Sequence, residues 1–581
     1  MLNNAKVDGY ELKLTNTNMK KYLFIALALF GMASCAKDDV TGGNKPHHNG
    51  EVEESYIAIN LAASDITRAN ETTPSFQDGE QAERAVSHVD FFFFDGAGNA
   101  FPVKVNNPND GTTSEPGGNV NHLRAVDIEF TADNTTANDD ISDSSNAVLL
   151  LRTYKGEYPS QIVAVLNWSP DNATAYSLED LKEAVSIQGE FSGTNYFVMS
   201  NAVYAQGTTP VYATPLTMEN IKTSETDAKN APVNIYVERV AAKVVVNANP
   251  EYDLNKTADY KPIGETNTVN TKVSAKILGW DLYRDNSQSS LLKVIDGGWT
   301  DDEVGFNWND SPWYRSYWAA SLPAPAADSI YGTGFTSGGH TYIGENTNGK
   351  ALCTKVVIKA QLVNDKDEPL DLAIWNNVQY VDEADDTNPA YSLRVAVANT
   401  LKNTYFAKTE VDSVVKYTGI APEDLQCVIG GTAEAPNGVA ANEVYFQLSL
   451  DGEAKNWHKL VGGVYQPMTA DSTADPTGAD ATNNALKSVP AAVLYESGMT
   501  FYYVDIKHLG APSSDAEYGI VRNHIYDINI NSIGGYGSPV YTGTEFIEYP
   551  QVSDQESFVA AKINILSWRL VSQSVNIQPQ N

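Results

Sequence analysis

Four stretches of the chain carry residue types that could do chemistry. Gly344 to Lys350 (GENTNGK) comes close to a phosphate-cradling loop. In such a loop glycines let backbone N–H groups approach a phosphate, and a lysine reaches it. The next residue is Ala351, where a hydroxyl is needed for Mg²⁺. The run that follows (LCTKVVIKAQL) reads as a strand, not as the helix whose N-terminus would hold the phosphate. A hairpin turn is expected there. Gly332, Gly334 and Gly338 miss the dinucleotide-binding spacing by one residue and read as a loop. Asp365, Asp367, Glu368 and Asp371 sit close together, as do Asp382, Glu383, Asp385 and Asp386. Carboxylates so grouped can bind Ca²⁺, but neither group has the EF-hand spacing, and solvated turns are expected. No His is followed by Glu, so the helical zinc-protease motif is absent, as is the Gly-x-Ser-x-Gly elbow. No catalytic set, metal site or cofactor is expected, and the chain is not read as an enzyme. Cys353 opens an apolar run and reads as a buried free thiol ahead of a disulfide with Cys427.

The whole composition agrees. Among 581 residues, acids outnumber bases by 73 to 39, a net charge of −34. Phosphate affinity needs clustered Lys and Arg, so nucleic acid is excluded as a partner. At 42% hydrophobic and 10% aromatic, the chain can bury sizeable cores. Three Cys cannot build a disulfide scaffold.

The N-terminus reads as an address. Met19-Lys20-Lys21 is read as the true start, followed by an apolar run from Tyr22 to Met32 and then Ala33, Ser34 and Cys35. A basic start, a short apolar run and small residues make a signal peptide. The run is well short of the ~20 residues a membrane helix needs. Cys35 after Gly-Met-Ala-Ser resembles a bacterial lipobox, in which the signal peptidase cuts before the Cys, whose thiol takes a diacylglycerol. Residues 36–54 are polar and read as a tether, with His47 and His48 solvated within it.

The body reads as strands. Period-2 or continuous runs of β-branched and aromatic residues recur from Ser55 to Ile577, punctuated by Gly, Asn, Asp and Pro. Asp95-Gly96 after four Phe marks a tight turn. Helices are few; the clearest starts after Ser177, with Asp180 three residues on, and a short one is expected near Ala421-Pro422. Segments 106–146 and 466–486 read as long surface loops. The fold class expected is all-β: two tandem β-sandwiches with a few short helices. The leader is placed at 1–35, the tether at 36–54, an N-terminal sandwich at 55–232, and a C-terminal sandwich at 233–581 ending in strands within 558–581.

An ordered set of short motifs resembles the major-subunit family of type V fimbriae, the Mfa/Fim fimbrilins. The set comprises the lipobox at Cys35, the first strand from Ser55 to Leu61, Ile66-Thr67-Arg68-Ala69, and Val163 to Asn167. It continues with Val237-Glu238-Arg239 through Lys243, Arg315 to Trp318, and Tyr342 to Thr347. Val521-Arg522-Asn523-His524-Ile525-Tyr526 and Ile563 to Ile577 with Trp568 complete it. Residues 100–145 and 365–490 match little. The resemblance implies transthyretin-like sandwiches and a lipoprotein precursor anchored to the outer membrane through Cys35. It implies an arginine-specific protease that cuts between Arg68 and Ala69, so that the strand Ser55–Arg68 leaves. It also implies a C-terminal strand from the next subunit that fills the vacated groove and builds a surface fimbria. The partners implied are further copies of this chain and other fimbrial subunits.

The residues at the two ends fit that scheme on their own terms. Ile57, Ile59 and Leu61 share one face of the first strand. In the last strand Val571, Val575 and Ile577 share a face, broken by Gln573, with Leu570 beside them. Either strand can complete a sheet by main-chain hydrogen bonds. Arg84-Ala85 is a rival cleavage bond. Arg239, Arg522, Trp280 and Trp568 read as structural. A tip or accessory subunit is the nearest alternative. A surface glycan-binding lipoprotein is another, because Trp308, Trp313, Tyr314, Tyr317 and Trp318 crowd one segment.

Overall fold

The computed structural model describes residues 52–62, most of 76–539, and the strand Trp568–Asn576. The chain divides into units 1–51 and 52–581, and all described residues belong to the second. Cys35, Arg68, Ala69 and Ile577 lie outside the described residues, as do His47, His48, Trp308, Trp313, Tyr317 and the acidic group from Asp382 to Asp386.

The chain is β-rich, as its period-2 runs require. The described strands form seven sheets, rather than two simple transthyretin-like sandwiches. The physical reason is that connections between sandwich strands are themselves apolar enough to form hairpins and a further core.

The first sheet is ten-stranded. Its path runs through His122–Val126, His88–Phe94, Gln161–Leu166 and Met199–Asn201, and on to four strands near the opposite end. These centre on β1 (Val52–Ala62), flanked by β2 (Asp143–Tyr154) on one side; on the other lie β3 (Ile221–Lys222) and β4 (Val233–Arg239). Phe91, Phe92, Phe93 and Phe94 are all fully buried. A strand covered on both faces has no polar side, which is why four Phe occur in succession. The core joins them to Ile57, Ile59, Leu151, Ile235 and Leu292. Strand β4, placed by the sequence reading at the start of the C-terminal sandwich, pairs with β1 here.

Two residues after β4, the chain enters a second body with β5 (Ala242–Ala248). It lies between His340–Ile343 and β6 (His524–Ser532), and β6 pairs with β7 (Trp568–Asn576). A second five-stranded sheet contains Val269–Tyr283, Lys355–Val363 and Met499–Asp505. Val244, Trp280, Ile358, Tyr502, Tyr526 and Ile528 form the core of this body.

A third core arises where the sequence resembled nothing. Lys355–Val363 pairs directly with Met499–Asp505, and between them the chain leaves to build a separate cluster around Trp375, Val397, Leu425, Phe446, Trp457 and Leu494. Its four-stranded sheet is curled, since Tyr417 and Tyr465 on the two outermost strands stack at 3.9 Å. Segment 466–486, expected to be a loop, contains the helix Ala479–Leu486. Its buried residues Ala479, Thr482 and Leu486 are too few to announce a helix in a polar stretch. Segment 106–146 holds the strand His122–Val126 and the start of β2.

The local punctuation is as read. Ser177 caps the helix Leu178–Glu183: its Oγ accepts from the Asp180 N–H at 3.1 Å, and Asp180 Oδ2 accepts from the Ser177 N–H at 2.7 Å. The expected helix near Ala421 is one 3₁₀ turn, Pro422–Asp424. Asp95 Oδ1 accepts from the N–H groups of Ala97 and Asn99, closing the turn after the Phe run.

Candidate functional site

Strand β1 lies inside its sheet, not at an edge. All eleven of its residues pair antiparallel with β2, from Val52 opposite Tyr154 to Ala62 opposite Ser144. On its other side Tyr56 and Ile57 pair with Lys222 and Ile221 of β3. Ile59 to Ala62 then pair in parallel with Val233 to Tyr236 of β4. From Tyr56 to Ala62 the main chain of β1 is therefore paired on both sides, Ala58 excepted, and its removal would leave two facing rows of unpaired N–H and C=O groups along that stretch.

Its side chains divide by face. Ile57 and Ile59 are fully buried, between Leu149 and Ala147 of β2 and Ile221 and Val233 opposite. At roughly 1.5–3 kcal/mol each, these two supply about 3–6 kcal/mol from burial. Leu61 shares their face and pairs with Ser145 and Ile235; its side chain lies outside the described residues. On the opposite face Ala58 is buried, and the short helix Glu225–Lys229, capped by Ser224 Oγ, packs against β1.

The inward face changes character at its N-terminal end. Ser55 follows Ile57 in that row and is buried, and Thr153, diagonal to it on β2, is fully buried. Neither Ser55 Oγ nor Thr153 Oγ1 has a hydrogen-bond partner among the described residues. Beyond them Glu53 accepts from the Gly156 N–H at 2.9 Å. The Tyr158 hydroxyl and that N–H hold the Glu53 carboxyl below its usual range. Sequence reasoning missed Ser55 and Thr153, because an unpaired hydroxyl has no local signature.

The C-terminal strand occupies a different sheet. Strand β7, which carries Leu570, Val571 and Val575, runs parallel to β6, with His524 opposite Arg569 and Ile530 opposite Val575. Among the described residues, its other side meets only the two-residue strand Phe76–Gln77, opposite Arg569 and Trp568. For most of its length β7 is thus an edge. Phe76–Gln77 is also the first described stretch after β1, so the chain leaves the first sheet and touches the second before returning.

The return is fastened. In the helix Gln81–Arg84, Glu83 is fully buried and lies 2.7 Å from Lys243 Nζ. The Tyr342 hydroxyl also donates to Glu83, and Arg239 Nε donates to the Glu83 carbonyl at 2.7 Å. Burial raises the Glu83 pKa, but the bonds from Lys243 and Tyr342 outweigh it and leave the carboxyl below its usual range. Glu80, Glu83 and His340 bring three metal-ligand atoms together, yet the Lys243 ammonium already bridges the two carboxylates. The rival cleavage bond lies in this anchored stretch: Asn167 Nδ2 donates to the Ala85 carbonyl at 3.0 Å.

The other candidates resolve structurally. Gly349, at φ 79°, leads into a single 3₁₀ turn and then a strand, so the phosphate-loop look-alike is a turn. Glu345 within it is buried against Arg522, with Nε–Oε1 at 2.7 Å and Nη2–Oε2 at 2.8 Å. Asp367 pairs with Lys276 at 2.7 Å. Cys353 is buried, Cys427 half-buried, and the two do not form a disulfide. Trp318 is buried. Among the described residues, no helix is long and apolar enough to cross a membrane.

Comparison with known proteins places a name on part of the chain. Residues 493–574 match the family model described as "Major fimbrial subunit protein type IV, Fimbrillin, C-terminal". This segment includes Met499–Asp505, β6 and most of β7. No curated protein matches the chain. Two crystal structures are similar in part. One is provisionally named a cell adhesion protein of Parabacteroides distasonis ATCC 8503, at 13% identity and a TM-score of 0.29, covering 56% of this chain and 78% of that one. The other, with the same description, is from Bacteroides eggerthii DSM 20697, at 14% identity and a TM-score of 0.26, covering 55% and 77%. The similarity to the fimbrillin family is thus confined to the C-terminal segment, residues 493–574.

Proposed function

We propose that this protein is a structural shaft subunit of a cell-surface fimbria. It is exported as a lipoprotein anchored through Cys35 and cut between Arg68 and Ala69 by an arginine-specific protease. It then polymerises by strand exchange, supporting adhesion. The observation that carries the reading is the contrast between the two end strands. Strand β1 is interior, paired on both sides over most of Tyr56–Ala62, and carries two fully buried isoleucines there. Among the described residues, strand β7 is an edge, paired along one side for most of its length. A C-terminal strand that leaves its edge for the slot of a second copy exchanges one flanking row of hydrogen bonds for two. The exchange also covers the apolar floor that β1 would leave open. Ordering the tail opposes this gain without cancelling the main-chain pairing.

The choice of Arg68 over Arg84 has a structural argument. A protease needs an accessible, locally unfolded bond. Arg84-Ala85 sits beside Glu83, Arg239 and Asn167 in an anchored stretch. Arg68 lies in the polar stretch between β1 and Phe76.

The test is limited trypsin digestion of the purified full-length chain, with N-terminal sequencing and electrophoresis without boiling. A new terminus at Ala69, with heat-labile multimers that vanish when residues 569–581 are deleted, is the expected result. Cleavage at Arg68 without multimers would move the protein to a tip or accessory role. A chain that is not cut at Arg68 would overturn the activation step.

A further inference from the structure

Resting on that reading, the geometry points to one register and one direction for the incoming strand, with Thr153 as the residue that selects it. We propose that the C-terminal strand of a second copy enters the slot in the direction of β1. Val575 and Ile577 take the places of Ile57 and Ile59, and Gln573 takes the place of Ser55 and hydrogen-bonds the Thr153 hydroxyl.

The argument is an exclusion. The inward row of β1 reads Glu53, Ser55, Ile57, Ile59, Leu61. The apolar row of the tail reads Arg569, Val571, Gln573, Val575, Ile577, Pro579. The fully buried positions are those of Ile57 and Ile59. Seating Val575 and Ile577 there in the forward direction puts Gln573 at Ser55 and Pro579 at Leu61. A proline, which has no N–H to give the ladder, is tolerated near a strand end. Sliding the tail two residues forward places Pro579 at Ile59, in the middle of the ladder. Sliding it two residues back buries the Gln573 carboxamide at Ile57, and four back buries it at Ile59. Reversing the strand fails likewise. With Ile577 at Ile57, Gln573 falls at Leu61, out of reach of Thr153, whose hydroxyl stays unsatisfied; with Val575 at Ile57, Gln573 is buried at Ile59. The opposite face of the tail, Trp568 to Asn576, offers two serines and an asparagine to an apolar floor.

The orphaned hydroxyl adds an independent reason. Among the described residues Thr153 Oγ1 is buried without a partner beside β1, and so is the Ser55 hydroxyl on β1 itself. An unsatisfied buried hydroxyl is costly, so β1 is an imperfect occupant of its own slot. Gln573 can both donate to and accept from Thr153. Val571 at the place of Glu53 is the smaller side chain, which leaves room for the carboxamide at that end. The exchange thus replaces an occupant that leaves Thr153 unsatisfied with one that satisfies it.

Full-length Leu150→Cys and Ser574→Cys variants, mixed, cut with trypsin and oxidised, test the register. Leu150 is 40% exposed and lies opposite Tyr56. In the proposed register Ser574 takes the place of Tyr56, so a covalent dimer between the two variants is expected. A dimer formed instead with Ser572→Cys or Asn576→Cys would overturn the register or the direction. One formed with Asn564→Cys would assign the slot to the run before Trp568. Multimers with no such dimer would also overturn it. Absence of multimers in the unmodified chain would refute strand exchange itself. Thr153→Val should leave the uncut chain at least as stable while weakening multimers about fivefold, as expected for one lost hydrogen bond. Gln573→Leu combined with Thr153→Val should recover part of that loss. Equal multimer stability in Thr153→Val and the unmodified chain would remove Thr153 from the selection.

Discussion

Glu83 and Lys243 meet at 2.7 Å, 160 residues apart in the chain, where the segment returning from β1 crosses the first residues of the second body. Their side chains are 1% and 9% exposed. The pair fastens the return so that events on β1 need not disturb the strand that starts at His88. Its Glu83 carboxyl has a folded-state pKa below its ordinary value of 4.5. A depressed carboxyl contributes stability above the unfolded pKa and loses it as pH falls through the folded value. The chain should therefore lose stability on acidification below about pH 4.5. In Glu83→Gln this component of the slope should be missing, as read by denaturant unfolding at stepped pH. A Glu83→Gln chain with the unmodified slope would show that the pair does not titrate with folding.

The buried pair Arg522–Glu345 makes a sharper stability prediction. Both groups are essentially inaccessible, and Arg522 also donates to the carbonyls of Ser290 and Leu291. Glu345→Gln leaves a buried guanidinium without its counter-charge, and the cost should be ~3–5 kcal/mol. A denaturant midpoint nearly unchanged from the unmodified chain would contradict this.

Truncation of the floor contact should be costly before any cleavage. Ile59→Ala removes a fully buried side chain between Ala147 and Val233, and should destabilise the uncut chain by about 2–5 kcal/mol. Ala58, on the other face, has no long side chain to lose, so Ala58→Gly should cost about 1 kcal/mol or less. Thermal unfolding of the two variants distinguishes a packed slot from a loosely held strand.

The two described thiols should differ in reactivity. Burial, with Asp505 nearby, pushes the Cys353 thiol up to about 12, and the residue is fully buried. The thiolate is the reactive form. In the native chain at pH 8 a thiol reagent should modify half-buried Cys427 first and leave Cys353 until unfolding. Mass mapping of labelled peptides reads the order directly.

Much of this architecture is local, and so was legible in the residues alone. The β class follows from period-2 runs, the turn at Asp95 from its carboxylate, and the helix start from Ser177 and Asp180. The inward face of β1 follows from Ile57, Ile59 and Leu61. None of these needs a distant partner. Tertiary structure decided everything that depends on which faces meet. It put β1 between β2 and β4, with Val233 joining the first sheet, and left β7 at an edge beside β6. It built the third core around Trp457 and turned a polar stretch into the helix Ala479–Leu486. It also paired Glu83 with Lys243 and left Thr153 without a hydrogen-bond partner among the described residues. Periodicity tells a residue which side of its own strand it occupies. The neighbour across the sheet is chosen by burial summed over many remote contacts, and no local pattern encodes that sum.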